Sequence, residues 1–274
     1  MKTIKYMIKA DTTIKEFLIS NVSRKFQRHL KKMDVKYYIN GVEAKSHFEI
    51  KRGDILEVVY KPDKIEDSHL YDIPLDIVYE CKEYMIINKP RGLKTIPTGY
   101  NDFKSLYNAI ISYYEKNHMD NTIHFINRLD KDTEGLLIVA KDKYSASILS
   151  KNLDNISRCY LAVACGIIES SGTIEVPISR GDGILRRVDP NGKSAITKYK
   201  VLKYIDGNTL LHLELLSGRC HQIRVHLESI GHPILGDPLY GEGDELHLTS
   251  YLIDFHDPFN DKDIHFEIKP WFGV

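Results

Sequence analysis

The segment 126–141 constrains the fold more than any other part of the sequence, which reads INRLDKDTEGLLIVAK there. Its second half, from Leu136 to Ala140, is an uninterrupted apolar run of strand length, which a soluble protein must bury. Its first half is a charged loop that enters this strand directly. We therefore expect Asp130 at the mouth of a rigid element, where a catalytic group benefits from fixed positioning. Taken alone, the segment is better explained by a helix cap or an ordinary turn before a buried strand.

The remainder of the chain after residue 76 is rich in strands and contains few helices. Apolar runs of strand length are followed by turn residues, and helical spacing of apolar residues occurs at 105–117 and 221–229. Predicted strands lie at 77–79, 84–88, 160–164, 173–176, 194–204, 210–215, 252–255 and 265–268. This pattern indicates an α+β fold built on a mainly antiparallel mixed sheet.

A basic amphipathic helix is predicted between residues 23 and 36. Val22, Phe26, Leu30 and Met33 recur at spacings of four, four and three, which describes one face of a helix. Six basic residues occupy the remaining faces, and they are Arg24, Lys25, Arg28, Lys31, Lys32 and Lys36. The segment is therefore either a solvated helix face or a surface that binds nucleic acid.

The residues around the basic helix indicate a small separate domain. A shorter helix is predicted at 13–20, and Asn40-Gly41 between apolar residues is typical of a tight hairpin turn. Prolines and mixed charges at 63–75 indicate a linker. We expect an N-terminal domain at 1–62 and a second domain at 76–274.

Composition limits the class of protein. The 274 residues carry no net charge, so a nucleic-acid-binding role requires a local concentration of basic residues. The four cysteines form no C-x-x-C pair, which predicts reduced thiols. No segment approaches the roughly 20 apolar residues of a membrane span, and no signal-peptide pattern is present, so we expect a cytoplasmic protein with no membrane partner. Phosphate-loop and dinucleotide fingerprints are absent.

Four stretches resemble, in the same order, the motifs of the RluA/RluD-type RNA pseudouridine synthases. They are NKPRGL at 88–93, RLDKDTEGLL at 128–137, RCYLA at 158–162, and GRCHQIRVH at 218–226 with its continuation GHPILGDPLYG at 231–241. This resemblance covers residues 75 to 270. The first 62 residues resemble the α-L RNA-binding module found in a ribosomal small-subunit protein. The resemblance implies a pseudouridine synthase core that follows a small RNA-binding domain.

The resemblance also implies an isomerase that uses neither a cofactor nor a metal. Pseudouridylation breaks the N1–C1′ bond of uridine, rotates the base and joins C5 to C1′, without redox change. The family's nucleophile corresponds to Asp130, which either attacks C1′ or deprotonates the sugar. Its ionised form requires a cationic partner, and the family places Arg224 there, where a planar guanidinium can make two contacts with a carboxylate. Tyr160 would stack on the uracil and could remove the C5 proton.

Further residues are expected to contact the RNA. Arg128 would occupy the space that the target base leaves when it is flipped out of the RNA. The resemblance implies substrate-binding roles for Lys89, Pro90, Arg219, His221 and Gln222. Basic residues in a flexible glycine-containing loop at 180–198 are expected to contact phosphates, and they are Arg186, Arg187 and Lys193. Ribosomal large-subunit RNA is the preferred partner, transfer RNA is the alternative, and we expect a monomer.

Three other interpretations remain open. An RNA-binding protein with an inactive core would keep the basic helix but need not keep Asp130. A hydrolase could pair Asp130 with Asp132 or Glu134, as glycosidases pair carboxylates. A metal enzyme could use His221 and His226, although their spacing of five places them on different helix faces.

The sequence departs from the family pattern at three positions. Asn127 stands where a histidine is common, Glu134 where a serine is common, and Cys220 where a threonine is common. None of these positions carries the nucleophile or its arginine, so we expect activity to be retained.

Overall fold

The computed structural model describes residues 1–61, 69–99 and 102–273. The predicted boundary at 62 and most of the predicted linker, residues 63–68, lie outside the described residues. The α-helices are α1 (Ile14–Asn21), α2 (Arg24–Leu30), α3 (Leu106–Lys116), α4 (Lys143–Lys151) and α5 (Gln222–Ser229). A single turn of 3-10 helix follows α4 at Leu153–Asn155.

The strands fall into two groups that are separated by the undescribed segment. The strands before it are β1 (Lys2–Met7), β2 (Thr12–Thr13), β3 (Lys36–Ile39), β4 (Val42–Ala44), β5 (Glu49–Ile50) and β6 (Ile55–Tyr60). The strands after it are β7 (Asp76–Glu80), β8 (Tyr84–Lys89), β9 (His124–Phe125), β10 (Glu134–Ala140), β11 (Ser157–Ala164), β12 (Gly172–Glu175), β13 (Ile178–Arg180), β14 (Arg186–Val188), β15 (Ile196–Ile205), β16 (Asn208–Leu215), β17 (Leu248–Asp257) and β18 (Lys262–Glu267).

Residues 1–61 form an N-terminal lobe in which α1 and α2 pack on an antiparallel sheet of order β1-β6-β3-β4. Thr13 begins α1 with a capping box, and the side chain of Ser23 accepts a hydrogen bond from the backbone N–H of Phe26 at the start of α2. The prediction that the basic helix continues to residue 36 is wrong. The helix ends at Leu30, because residues from Lys36 onward pair with β6 and β4 as strand β3.

The main sheet contains ten strands in the order β12-β15-β16-β11-β17-β10-β8-β7, with β18 beside β17 and β9 beside β10. Its described strand pairs are antiparallel except β10 and β17, which run parallel over two residue pairs. The predicted α+β architecture with a mainly antiparallel mixed sheet is confirmed.

The two faces of the sheet explain the apolar run that follows the charged loop. Leu137 and Val139 face a core that includes side chains of α3 and α5. Leu136 and Ile138 face the other core, which includes Leu149 of α4. Because both faces of β10 are covered, its sequence is continuously apolar rather than alternating.

Most predicted elements match observed ones to within a few residues, but two differ besides the basic helix. Helix α4 had not been predicted. The segment 180–198, predicted as a flexible loop, overlaps the β13–β14 hairpin, in which Ser179 pairs with Arg187 and Arg180 with Arg186. Within the part of the chain that the structure describes, no helix has the length and apolarity to cross a membrane.

Candidate active site

Asp130 lies in the loop immediately before β10, and the backbone is anchored on both sides of it. The Thr95 hydroxyl donates to the Leu129 carbonyl at 2.6 Å. On the other side, the Lys131 carbonyl accepts from Lys89 Nζ at 3.2 Å and from the Gly92 N–H at 2.9 Å. The Asp130 side chain itself remains 28% exposed. The carboxylate is therefore reachable from solvent while its backbone is held in place.

Lys89 supports this loop from inside the protein. Its ammonium also donates to the carbonyls of Pro90 and Leu93, at 2.9 and 2.8 Å, and the residue is fully buried. Burial lowers the pKa of Lys89 to about 7, against the attraction of nearby carboxylates. The predicted substrate contact does not fit this placement, because no part of the side chain reaches the surface. Pro90, the next residue, is exposed.

Arg224 approaches Asp130 from α5. Its Nη1 lies 3.9 Å from Asp130 Oδ2. The predicted two-contact pairing between these residues is wrong, because the fork of the guanidinium is taken by Asp237, with Nε–Oδ2 at 2.8 Å and Nη2–Oδ1 at 2.5 Å. Burial opposes the charge on Arg224, but the hydrogen bonds and charge of Asp237 outweigh burial and raise the arginine pKa. Arg224 is thus a fixed cation beside Asp130.

His221 is the second side chain that faces Asp130. Its Nε2 lies 3.9 Å from Asp130 Oδ2, and its Nδ1 forms a 2.8 Å hydrogen bond with the Tyr240 hydroxyl. Burial lowers the pKa of His221, so the imidazole is mainly neutral near pH 7. His221 was predicted to bind substrate, and the structure brings it to the carboxylate. No role had been predicted for Tyr240, although it lies within the motif at 231–241.

Tyr160 lies on β11, two strands from β10 in the sheet. The strand register aligns Tyr160 with Ser250 on β17, and Ser250 in turn with Gly135 on β10. Burial raises the pKa of Tyr160, with a smaller contribution from the charge of Asp130. The phenol is therefore protonated at neutral pH.

The other predicted substrate-binding residues separate into exposed and buried ones. Arg128 and Arg219 are exposed. Gln222 is buried, donates to the Ile196 carbonyl at 3.0 Å and accepts from the Arg219 N–H at 2.9 Å. The predicted contact of Gln222 with substrate therefore does not fit, since this side chain joins the start of α5 to β15.

The predicted RNA-contact residues lie in two places. The Arg186 N–H donates to the Tyr240 hydroxyl at 2.8 Å, so the β13–β14 hairpin borders the site. Arg187 and Lys193 on the same part of the chain are exposed. The second group belongs to α2 and the residues after it in the N-terminal lobe, and its exposed members are Arg24, Lys25, Arg28, Lys31 and Lys32.

Of the two acidic residues considered as hydrolase partners of Asp130, Asp132 and Glu134, the second is engaged elsewhere. Glu134 Oε1 accepts hydrogen bonds from the Thr249 hydroxyl and from the Trp271 N–H, both at 2.9 Å. These bonds tie the start of β10 to β17 and to the C-terminal residues. The geometry therefore gives Glu134 a structural role rather than that of a second catalytic carboxylate.

The proposed histidine pair does not form a metal site. His226 is buried, and its two ring nitrogens contact the Thr197 hydroxyl and the Val176 carbonyl. A different group does assemble at the site: Asp130, Cys220 and His221 each offer a potential ligand atom, within 4.8 Å of one another. The Arg224 guanidinium beside Asp130 opposes a cation there.

Comparison with known proteins finds similar sequences and structures of one family. A family model described as RNA pseudouridylate synthase matches residues 83–229. An uncharacterized RNA pseudouridine synthase of Bacillus subtilis, YjbO, is 38% identical over 209 residues, which are 74% of either chain. Ribosomal large subunit pseudouridine synthase D of Escherichia coli K12 is 43% identical over 174 residues, 62% of this chain and 53% of that protein, so the match spans about half of the relative.

Solved structures show a similar fold. The human protein described as RNA Pseudouridylate Synthase Domain Containing 1 superposes with a TM-score of 0.59 and 25% identity, over 72% of this chain and 83% of that one. The human Domain Containing 4 protein gives a TM-score of 0.58 at 24% identity, over 72% of this chain and 89% of that one.

Proposed function

Because the chain belongs to the RNA pseudouridylate synthase family, we propose that it converts specific uridines of large-subunit ribosomal RNA into pseudouridine, with Asp130 as the nucleophile. One observation carries this assignment: Asp130 Oδ2 lies 3.9 Å from both Arg224 Nη1 and His221 Nε2, while the aspartate remains partly exposed. A partly exposed carboxylate can be reached by a substrate, and the fixed guanidinium beside it provides an electrostatic partner for its negative charge.

The reaction is an isomerisation, so the product has the same composition as the substrate. The C1′–N1 bond breaks, the detached uracil turns within the site, and a C1′–C5 bond forms while the C5 proton leaves and N1 gains one. Asp130 assists the first step, either by attack on C1′ or by taking a proton from the sugar. Tyr160 packs against the base, and Arg128, which is exposed, fills the space left in the RNA. The steps use no cofactor and no metal ion.

The choice of ribosomal RNA rests on relatives that are named ribosomal large subunit pseudouridine synthases. The N-terminal lobe supports it, since exposed basic residues lie on α2 and directly after it, in a lobe that we propose to be an α-L RNA-binding domain. We propose that the protein is cytoplasmic, because the relatives that are named for ribosomal RNA come from bacteria. One chain supplies Asp130, Tyr160 and Arg224, so we propose that a monomer is active.

The experiment uses RNA transcripts that carry tritium at uracil C5, because formation of the C1′–C5 bond releases that label to water. We expect release from the large-subunit ribosomal transcript with the unmodified protein and none above background with Asp130→Asn. The neighbouring Asp132→Asn is the matched control and should retain release. Tritium release by Asp130→Asn would exclude Asp130 as the nucleophile. Release by the unmodified protein from transfer RNA alone would identify transfer RNA as the substrate. Release from neither RNA would favour a protein that only binds RNA.

A further inference from the structure

The side chain of Tyr240 joins several parts of the candidate active site. Its hydroxyl accepts a hydrogen bond from the Arg186 N–H at 2.8 Å and lies 2.8 Å from His221 Nδ1. Its ring lies against Arg224, whose Cζ is 5.2 Å from the ring centroid. The Tyr240 backbone N–H donates at 3.1 Å to Asp237 Oδ1, on the carboxylate that holds the Arg224 guanidinium. Tyr240 therefore connects the β13–β14 hairpin to the start of α5.

His221 has a backbone conformation that is uncommon for a residue with a side chain. Its φ and ψ are +57° and +20°, in the left-handed region, directly before α5. Glycine adopts this conformation at lower cost. The His221 side chain does not cap the helix, and its ring meets that of Tyr240 edge-on, with centroids 5.6 Å apart and an interplanar angle of 82°. A strained residue whose side chain does no capping indicates that the ring itself is required at this position.

The hydrogen bonds of the Tyr240 hydroxyl indicate which nitrogen of His221 carries the proton. The hydroxyl oxygen already accepts from the Arg186 N–H, so its single proton is available to His221 Nδ1. Burial lowers the pKa of His221, so the ring is neutral and its one proton then lies on Nε2. The other tautomer would turn the Nε2 lone pair towards Asp130 Oδ2, 3.9 Å away, where the carboxylate charge repels it. Both considerations favour the tautomer in which Nε2–H faces Asp130.

We propose that Tyr240 is a positioning residue, which holds His221 as the Nε2–H tautomer and so directs a hydrogen-bond donor at Asp130 Oδ2. Arg224 Nη1 lies 3.9 Å from the same oxygen. Two donors beside one oxygen limit the rotation of the carboxylate, so Asp130 keeps one orientation towards the uridine. Such contacts are often longer than hydrogen bonds before substrate binds, and tighten in its complex. This role rests on the proposed function and adds to it a residue that acts through its neighbour.

The tautomer can be measured without RNA, by NMR of the full chain with nitrogen-15 in its histidines, at about pH 8, where a histidine is neutral. The His221 signals are identified by their loss in His221→Gln. We expect Nδ1 to resonate as an unprotonated ring nitrogen and Nε2 as a protonated one. Tyr240→Phe should remove this preference. Asp130→Asn should shift the Nε2 resonance, and the matched Asp132→Asn should not. An Nδ1–H tautomer in the unmodified protein would overturn the proposal.

The kinetic consequence is measured as tritium release from the large-subunit ribosomal transcript. Tyr240→Phe removes only the hydroxyl and keeps the ring beside Arg224. We expect it to lower kcat roughly 10-fold with KM nearly unchanged, since the lost contact orients a group and binds no substrate. His221→Ala should lower kcat at least as much. In that background Tyr240→Phe should add less than about twofold, because Tyr240 acts through His221. His221→Gln, which offers an amide N–H near the position of Nε2–H, should retain more activity than His221→Ala.

Tyr204→Phe is the matched control. The Tyr204 hydroxyl also donates a hydrogen bond, to the Ile168 carbonyl at 3.2 Å, but it lies near the end of β15, whereas Gln222 of α5 contacts the beginning of that strand at Ile196. The control should leave kcat unchanged, and thermal unfolding should show each variant folded at the assay temperature. Equal kcat in Tyr240→Phe and Tyr204→Phe, or losses in Tyr240→Phe and His221→Ala that multiply in the double variant, would overturn the positioning role. The expected tautomer in a protein that releases no tritium from either RNA would leave the hydrogen-bond arrangement standing and remove the proposed catalytic function.

Discussion

Arg224 contacts two carboxylates that have different surroundings. Asp237 is fully buried, takes two hydrogen bonds from the guanidinium and accepts two more from the backbone N–H groups of Leu239 and Tyr240. Asp130 is partly exposed and lies 3.9 Å from the remaining nitrogen of the fork, Nη1. Asp237 therefore fixes the position of the Arg224 guanidinium. Asp130 lies close enough to be attracted by its positive charge but does not share the two-contact pairing.

Replacement of Asp237 tests whether this residue fixes the position of the Arg224 guanidinium. In Asp237→Asn the guanidinium of Arg224 would remain buried without its anionic partner, so we expect the free energy of unfolding to fall by about 3–5 kcal/mol. Urea unfolding followed by circular dichroism measures this change. Asp263→Asn is the control, because Asp263 pairs with His256 at the surface, and it should change stability by less than about 1 kcal/mol. Equal losses in the two variants would show that the buried pair does not hold α5.

At the scale of single elements, apolar patterning predicted the strands well because both cores are built from continuous or alternating apolar residues. Helix α4 escaped prediction for a physical reason. It contains three serines, Ser145, Ser147 and Ser150, which are weak helix formers, and two of them are buried. The Ser147 hydroxyl instead contacts the N-terminal lobe, where it accepts a hydrogen bond from the Ser23 N–H. A side chain whose partner is 124 residues away leaves no local signal.

The site was predicted from motifs, which name residues but not their partners. The motifs predicted Asp130, Tyr160 and Arg224, and the structure brings these residues into one region. The motifs did not predict that Asp237 pairs with the Arg224 guanidinium, or that other side chains hold the backbone of the Asp130 loop. Both features depend on tertiary contacts. Thr95, for example, lies 34 residues before Leu129, whose backbone it holds, and carries no signal of its own.

The junction of β10 with β17 depends on a glycine. Gly135 has a φ of +114°, and a Cβ there would lie 2.2 Å from the Ser250 carbonyl oxygen. Gly135→Ala should therefore lower the free energy of unfolding by about 3 kcal/mol or more, through backbone strain and loss of the strand contact. Gly41→Ala is the matched control, since φ is +84° but the space is open, and should cost about 1 kcal/mol. Chemical denaturation compares them, and equal costs would contradict the crowding at Ser250.

The buried side chain of Lys89 should make the free energy of unfolding depend on pH. Because burial lowers its pKa to about 7, the unfolded chain binds more protons than the folded chain between about pH 7 and 10. The penalty for burying the charge is full below pH 7 and declines as pH rises. We expect the free energy of unfolding, relative to Lys89→Met, to increase by up to about 1.4 kcal/mol per pH unit over that range. Parallel pH profiles for the two proteins would show that Lys89 does not titrate there.

At the scale of the whole molecule, the lobe and the core share part of their packing. Tyr144 of α4 contacts Tyr6 and Phe26 of the lobe, with ring centroids 6.0 and 5.9 Å apart, and Phe259 of the core at 6.4 Å. Ile148 packs against the same lobe core. The apolar core of the lobe is therefore completed by the catalytic part of the chain, which couples the folding of the two.

Truncation of Tyr144 should loosen this coupling. We expect Tyr144→Ala to destabilise the protein by about 3–5 kcal/mol, as removal of a packed aromatic ring does in a core. In calorimetry, the unmodified chain should unfold in one transition, and the variant should show an earlier transition for the lobe. Tyr204→Ala is the control, because this tyrosine is 52% exposed on β15, and should leave the transition nearly unchanged. A single transition in Tyr144→Ala, shifted no more than in the control, would mean that the lobe folds without support from α4.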